Sequence, residues 1–232
     1  MPGQEKAASY INDAAHMFLG QFYIGGHSKG GNLAFFAALN MGKKLERRLA
    51  MCYSFDGPGF KDGIKQFESY ERIKDKLVKY LTTKDVIGVV YNEVENPKIV
   101  YSTGILLGGH DPFTWSVSIS KDSFVYSKDR SLRSKKSEEA MMNWLIQESY
   151  ESKRLAVSIL CTLFGSATTI YDLLLQAGRV ITNRKTIFDD YSVREKEEAK
   201  ETFRRLGRFY LNAYLPKKYL INKNKETSDK KR

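Results

Sequence analysis

Gly26, Ser28 and Gly30 stand at G-x-S-x-G spacing inside the stretch Phe22–Ala34, FYIGGHSKGGNLA. An apolar run (Phe22, Tyr23, Ile24) precedes the motif and helical apolar spacing follows from Asn32, so the stretch predicts a strand, a sharp turn and a helix. Such an elbow gives a serine chemistry. The turn strains the serine backbone and brings strand and helix so close that side chains at Gly26 and Gly30 would collide. The serine then sits at a helix N-terminus, where N–H groups and the helix dipole favour a developing negative charge. The bland reading is a Gly-rich turn that only starts a helix, or a phosphate-binding loop. A phosphate loop wants Lys-Ser/Thr after its second glycine, and Gly31-Asn32 follow Gly30 here.

A serine hydroxyl attacks only with a base beside it and an acid orienting that base. In elbow enzymes the chain order is serine, acid, histidine. The chain holds three histidines. His16 precedes the elbow in a helical stretch, and His27 adjoins the serine on a neighbouring backbone unit that points elsewhere. His110 follows the serine in the Gly-rich loop Leu106–Asp111 and is the expected general base; otherwise it caps a turn with Asp111-Pro112. For the acid, Asp85 ends the second strand after the elbow and is the expected residue. Asp56 ends the first strand and is the alternative, although Asp-Gly-Pro-Gly commonly forms a turn. Asp111 is too close in sequence to His110 to reach its ring. The Lys29 N–H, following the serine, is the expected backbone donor to an oxyanion. The second donor would come from a loop after an earlier strand, expected to lie before Met1.

Alternating elements must position these groups. A helix is expected over Gln4–Leu19, then the elbow strand, then one long helix over Asn32–Leu49. Strands are expected at Ala50–Phe55, Lys79–Thr82 and Lys98–Ser102, with a helix over Gly63–Lys76. Strands alternating with helices imply a mostly parallel sheet. Phe113–Tyr126 is expected to add one or two strands around Trp115 and Phe124. Lys128–Lys136 reads as a basic loop, followed by a helical region from Ser137, a break at Gly165–Ser166, and helices over Ile170–Val180 and Ser192–Leu215. The expected division is an α/β core over 1–127, a helical region over 137–215 packed on or capping that core, and a basic tail over 216–232.

A chain of 232 residues with 42% hydrophobic residues can bury a sizeable core, which excludes a disordered polymer. The formal net charge of +11 favours anionic surfaces without identifying a nucleic-acid binder. No nucleic-acid motif, zinc spacing or metal-ligand spacing is present, so neither nucleic acid nor a metal or cofactor is expected. Cys52 and Cys161 are far apart and suit buried free thiols in a reducing compartment. Met1–Lys6 is polar with no apolar run behind it, and Leu155–Ala167 is too short to span a bilayer. The expected setting is cytoplasmic. The lysine-rich tail could touch acidic lipid headgroups weakly, although a frayed, solvated terminus is the simpler reading.

From about Glu5 to Trp144 the chain resembles the Mbeg-like group of bacterial α/β-hydrolase-like proteins and, less closely, the class 3 lipases. The matching residues are Ala8 and Tyr10 in the first helix, Gly26–Ala34, Phe55-Asp56-Gly57-Pro58-Gly59-Phe60, Asp85-Val86-Ile87-Gly88, and His110 with Trp115. Class 3 lipases carry leucine in place of Lys29 and Asp-x-Val-Pro in place of the segment from Asp85. The resemblance implies a partial α/β-hydrolase fold with a helical C-terminal region, and a triad of Ser28, Asp85 and His110. It also implies that earlier strands and an oxyanion loop precede this chain. Two functions follow as expectations. One is a serine hydrolase acting on a small ester or lipid through an acyl-enzyme; the other is a catalytically incompetent, truncated relative with an interaction or structural role.

Overall fold

The computed structural model of the chain describes residues 2–104, 106–164 and 191–214. It is an α/β protein with a mostly parallel sheet followed by a helical region, and it divides into two compact units at Lys135/Lys136. In the first unit, helix α1 (Pro2–His16) leads to strand β1 (Phe22–His27), and α2 (Lys29–Leu39) and α3 (Lys43–Arg48) follow. Strand β2 (Leu49–Phe55), the short helix α4 (Tyr70–Ile73), β3 (Leu77–Thr82) and β4 (Lys98–Val100) come next. The two-residue strands β5 (Val117–Ser118), β6 (Ser123–Phe124) and β7 (Tyr126–Ser127) complete the list. The main sheet runs β1-β2-β3-β4-β7, parallel from β1 to β4 with β7 antiparallel, and β5 pairs with β6 separately.

Period-two alternation sorts the strand residues onto two faces. Phe22 and Ile24 of β1 and Cys52 of β2 are buried in one core with Ala34, Phe35 and Ala38 of α2. The intervening residues build an aromatic face: Tyr53, Phe55 and Tyr80 stack in sequence, and Trp115 and Phe124 pack against them. Cys52 is buried with its thiol free, and burial raises its pKa, which keeps it protonated and inert.

The expected helix over Asn32–Leu49 is two helices. Its run stops at Asn40, whose side chain donates back to the Phe36 carbonyl at 2.7 Å, and restarts after Gly42. The expected helix over Gly63–Lys76 is likewise reduced to the single α-turn of α4 between two 3₁₀ turns, Ile64–Gln66 and Lys74–Lys76. Gly63 enters this segment at φ 84°, a value that interrupts helical geometry. The loop carrying His110 is a 3₁₀ helix, Leu106–His110.

In the second unit and at its border, α5 (Leu132–Gln147) starts five residues before the expected Ser137, and a break at Glu148–Ser149 separates it from α6 (Tyr150–Phe164). Helix α7 (Val193–Tyr214) packs on α6, with Ser152 Oγ donating to Glu198 at 3.1 Å and Arg205 paired with the buried Glu148. The expected Gly165–Ser166 break, the helix over Ile170–Val180 and the basic tail lie outside the described residues. Among the described residues, no helix is long and apolar enough to cross a membrane.

The end of α1 is fastened by one side chain. Arg48 donates to the carbonyls of Ala15 at 2.9 Å, Phe18 at 2.6 Å and Gly20 at 2.8 Å, and its guanidinium lies over the Phe18 and Phe22 rings. These carbonyls belong to a helix C-terminus and the turn after it, where intrahelical donors run out. Arg48→Ala is expected to lower stability by about 2 kcal/mol, read as a shift of the urea midpoint at unchanged slope. An unchanged midpoint would mean that water replaces the arginine without loss.

Candidate active site

Ser28 lies where β1 turns into α2, in a backbone conformation that few residues adopt, φ 56° and ψ −127°. Its N–H donates to the Phe55 carbonyl at 2.9 Å, so the β1–β2 ladder continues for one bond past the end of β1. The turn is tight enough that a Cβ at Gly26 would fall 2.2 Å from the Gly30 carbonyl oxygen. The Ser28 carbonyl accepts the Gly31 N–H at 2.9 Å, while the N–H groups of Lys29 and Gly30 open the helix, before any intrahelical acceptor. Ser28 is half-buried and the Lys29 side chain is exposed.

One strand over, Asp56 repeats the device. It follows β2 at φ 53°, and its N–H donates to the Tyr80 carbonyl at 2.8 Å. Its carboxylate Oδ2 accepts from His110 Nδ1 at 2.7 Å, across a separation of 54 residues. Asp56 is fully buried, and the His110 side chain is 21% exposed. No hydrogen bond joins Ser28 Oγ to His110 among the described residues; in unliganded sites such contacts are often long and tighten with substrate. His27, the residue before Ser28, reaches the same place: its Nε2 is 2.8 Å from the His110 carbonyl oxygen and the two rings lie 4.6 Å apart. Trp115 donates from Nε1 to the Gly109 carbonyl at 3.1 Å, and Thr114 Oγ1 donates to the Gly108 carbonyl at 2.8 Å.

No hydrogen bond joins Asp85 to His110 among the described residues. It is fully buried, and its Oδ1 accepts the N–H groups of Ile87 at 2.8 Å and Gly88 at 2.9 Å, which caps the turn after β3. Its side chain lies next to that of Asp56: a Cβ at Gly88 would stand within 2.8 Å of Asp85 Oδ2 and 2.6 Å of Asp56 Oδ1. Of the expected residues, the fold therefore brings Ser28, Lys29, His110 and Asp56 together, and sets Asp85 behind Asp56. His16 bonds its own helix at Asn12 O, and Asp111 caps the turn to Phe113. Two positioning residues escaped the sequence reading. His27, whose neighbouring position to Ser28 points it elsewhere by sequence alone, meets the His110 backbone. Asn32 is a buried amide that accepts from Gln4 at 2.9 Å and donates to the Gly59 carbonyl at 2.9 Å, tying α1 and α2 to the turn after Asp56.

Burial governs the protonation of this cluster. It pushes the Asp56 carboxyl up to about 6, against the opposing effects of the neighbouring Asp85 carboxyl and the charges of Lys79 and Arg130. Asp85 is raised well above the carboxylate range by burial, then by the neighbouring Asp56 carboxyl and its charge. His110 is lowered by burial, with Asp85 and Asp111 opposing, so the ring is neutral near pH 7. A neutral ring donating from Nδ1 leaves Nε2 able to accept a proton.

This is an α/β protein whose strained strand–helix serine stands beside a histidine–aspartate pair at the carboxyl ends of parallel strands. Residues 1–162 match the Mbeg1-like family, and the chain belongs to it. No curated protein and no solved structure matches the chain.

The raised carboxyl of Asp56 makes stability depend on pH. An unfolded aspartate loses its proton near 3.8, whereas the folded one holds it to about 6. Between these values the folded state binds more protons, so this group's contribution to stability is complete below the lower value and declines as pH rises to the upper one. Asp56→Asn removes the titration. Its unfolding free energy relative to the wild type is expected to rise by on the order of 2–3 kcal/mol from pH 4 to pH 6, measured by denaturant melts at each pH. A difference that stays flat, or falls, would contradict the raised carboxyl.

Proposed function

We propose that the chain is a serine hydrolase of the esterase or lipase type, acting on a small ester or lipid acyl group. The observation that carries this reading is the 2.7 Å bond from His110 to the buried Asp56 beside a serine held at positive φ on an elbow. Ser28 Oγ attacks the acyl carbonyl as His110 Nε2 takes its proton. The tetrahedral oxyanion forms at the head of α2, where the Lys29 N–H donates to it. Collapse of the intermediate expels the alcohol, which receives the proton from His110, and water then hydrolyses the acyl-enzyme by the same steps. Asp56 holds Nδ1 protonated and stabilises the imidazolium that forms. We assign the acid role to Asp56, because it bonds the ring and Asp85 does not. The α/β-hydrolase relationship and a cytoplasmic setting belong to the same proposal, the latter in keeping with the free, buried thiol of Cys52.

A second reading, a non-catalytic interaction module, is favoured by one observation. Among the described residues β1 is an edge strand bonded only to β2, and its Tyr23 is 68% exposed; an open edge accepts a strand from another chain.

A fluorophosphonate probe separates the two. Labelling is expected on Ser28, lost in Ser28→Ala and His110→Ala, and slowed by about three to four orders of magnitude in Asp56→Asn, where the imidazole tautomer is no longer held. Equal labelling of the wild type and Ser28→Ala would refute the hydrolase reading, as would a wild type that neither labels nor turns over an ester.

A further inference from the structure

Two buried carboxyl oxygens behind the histidine have no hydrogen-bond partner among the described residues. Asp56 Oδ1 and Asp85 Oδ2 are both sequestered from solvent without a conventional donor. The other oxygen of each side chain is occupied, Asp56 Oδ2 by His110 and Asp85 Oδ1 by the Ile87 and Gly88 N–H groups. The orphaned oxygens converge on one point. A Cβ added at Gly88 would lie 2.6 Å from Asp56 Oδ1, 2.7 Å from Leu81 Cδ2 and 2.8 Å from Asp85 Oδ2, so only glycine lets the two oxygens come this close to the chain. Both residues are fully buried, and two ionised carboxylates cannot share such a site. A single proton between the two oxygens satisfies both at once.

We infer that Asp85 is a positioning residue that stays protonated and donates a hydrogen bond to Asp56, holding the carboxylate that faces His110 in place and ionised. The inference rests on the hydrolase reading for its effect on rate, and on geometry alone for the shared proton. Asp56 cannot be the one that keeps the proton permanently, because its Oδ2 serves as acceptor for the imidazole. Asp85 Oδ1, held by two backbone donors, leaves Oδ2 as the natural O–H. The arrangement gives a triad acid its third contact without a second negative charge in the core.

Three variants of the full chain test it. Asp85→Asn keeps both functions, since its amide oxygen accepts the turn N–H groups and its NH₂ donates to Asp56; kcat for p-nitrophenyl butyrate is expected within about threefold of the wild type. Asp85→Ser keeps a hydroxyl to cap the turn but cannot reach Asp56; kcat is expected to fall about 10- to 100-fold at unchanged KM. Asp56→Asn is expected to lose far more than either. A purely structural Asp85 would leave Ser as active as Asn, and an ionised triad acid at Asp85 would make Asn as damaging as Asp56→Asn; either result overturns the inference. Infrared difference spectra supply a readout that needs no turnover. At neutral pH the wild type should show the carbonyl stretch of a buried protonated carboxylic acid, and Asp85→Asn should lack it. Its absence from the wild type overturns the shared proton, whereas its presence with an unlabelled Ser28 overturns only the hydrolase reading.

Discussion

Everything at the site depends on two adjacent parallel strands that end alike. β1 and β2 each finish in a non-glycine residue at positive φ, Ser28 at 56° and Asp56 at 53°, and each gives its N–H to the strand beyond. Such conformations cost on the order of 1–3 kcal/mol apiece and persist only where the surroundings over-determine them. Here the surroundings are small. A Cβ at Gly31 would meet Ser54 Oγ at 2.5 Å, and one at Gly57 would meet the same atom at 2.6 Å and the Ser28 carbonyl oxygen at 2.8 Å. The backbones of the elbow and of the turn after β2 thus touch through absent side chains, and the ladder bonds hold both strained residues level. Ser28 is then presented beside the strand that ends in Asp56.

His110 joins this frame from far along the chain and is held mainly through its backbone neighbours. Carbonyls of the loop accept from Trp115, Thr114 and, at Gly104, Lys84, while the carbonyl of His110 itself meets His27. The aromatic face of the sheet extends to the site through Trp115, which packs on Phe55 and, edge-on, on His27. Packing of one core face therefore sets where the imidazole stands. With the loop fixed, the ring has little freedom, and the bond to Asp56 selects its tautomer.

The parts of this arrangement that were legible in the sequence are the local ones. The elbow could be read because its glycines, serine and flanking apolar runs occupy consecutive positions, where spacing alone implies strand, turn and helix. The strands were legible for the same reason, whereas the apolar period over Asn32–Leu49 suggests one helix where the chain forms two. Its apolar period runs across Asn40–Gly42, and the stop is made by an amide that prefers the Phe36 carbonyl to solvent. The partner of His110 was a lateral question. Asp56 and Asp85 both follow strands and both precede the histidine, so chain order allows either. Only the order β1-β2-β3 separates them, because it puts the residue after β2 next to the elbow and the residue after β3 one strand further away. Asn32 and His27 were illegible because their roles consist of contacts with turns 27 and 83 residues away.

That lateral order also explains why two acids can occupy one dry site. A carboxylate buried alone would take up a proton and cease to stabilise an imidazolium. A second carboxylate beside it would worsen the repulsion, but a second carboxylic acid does the reverse, because its O–H replaces the water that burial removed. The turn after β3 suits Asp85 to that part. Two backbone N–H groups fix one of its oxygens, and the missing side chain at Gly88 lets the other lie against the backbone beside Asp56 Oδ1. Consecutive strands of a parallel sheet thus carry the histidine's acceptor and that acceptor's own donor, each at a strand's carboxyl end, and neither could be moved by one strand without losing the other.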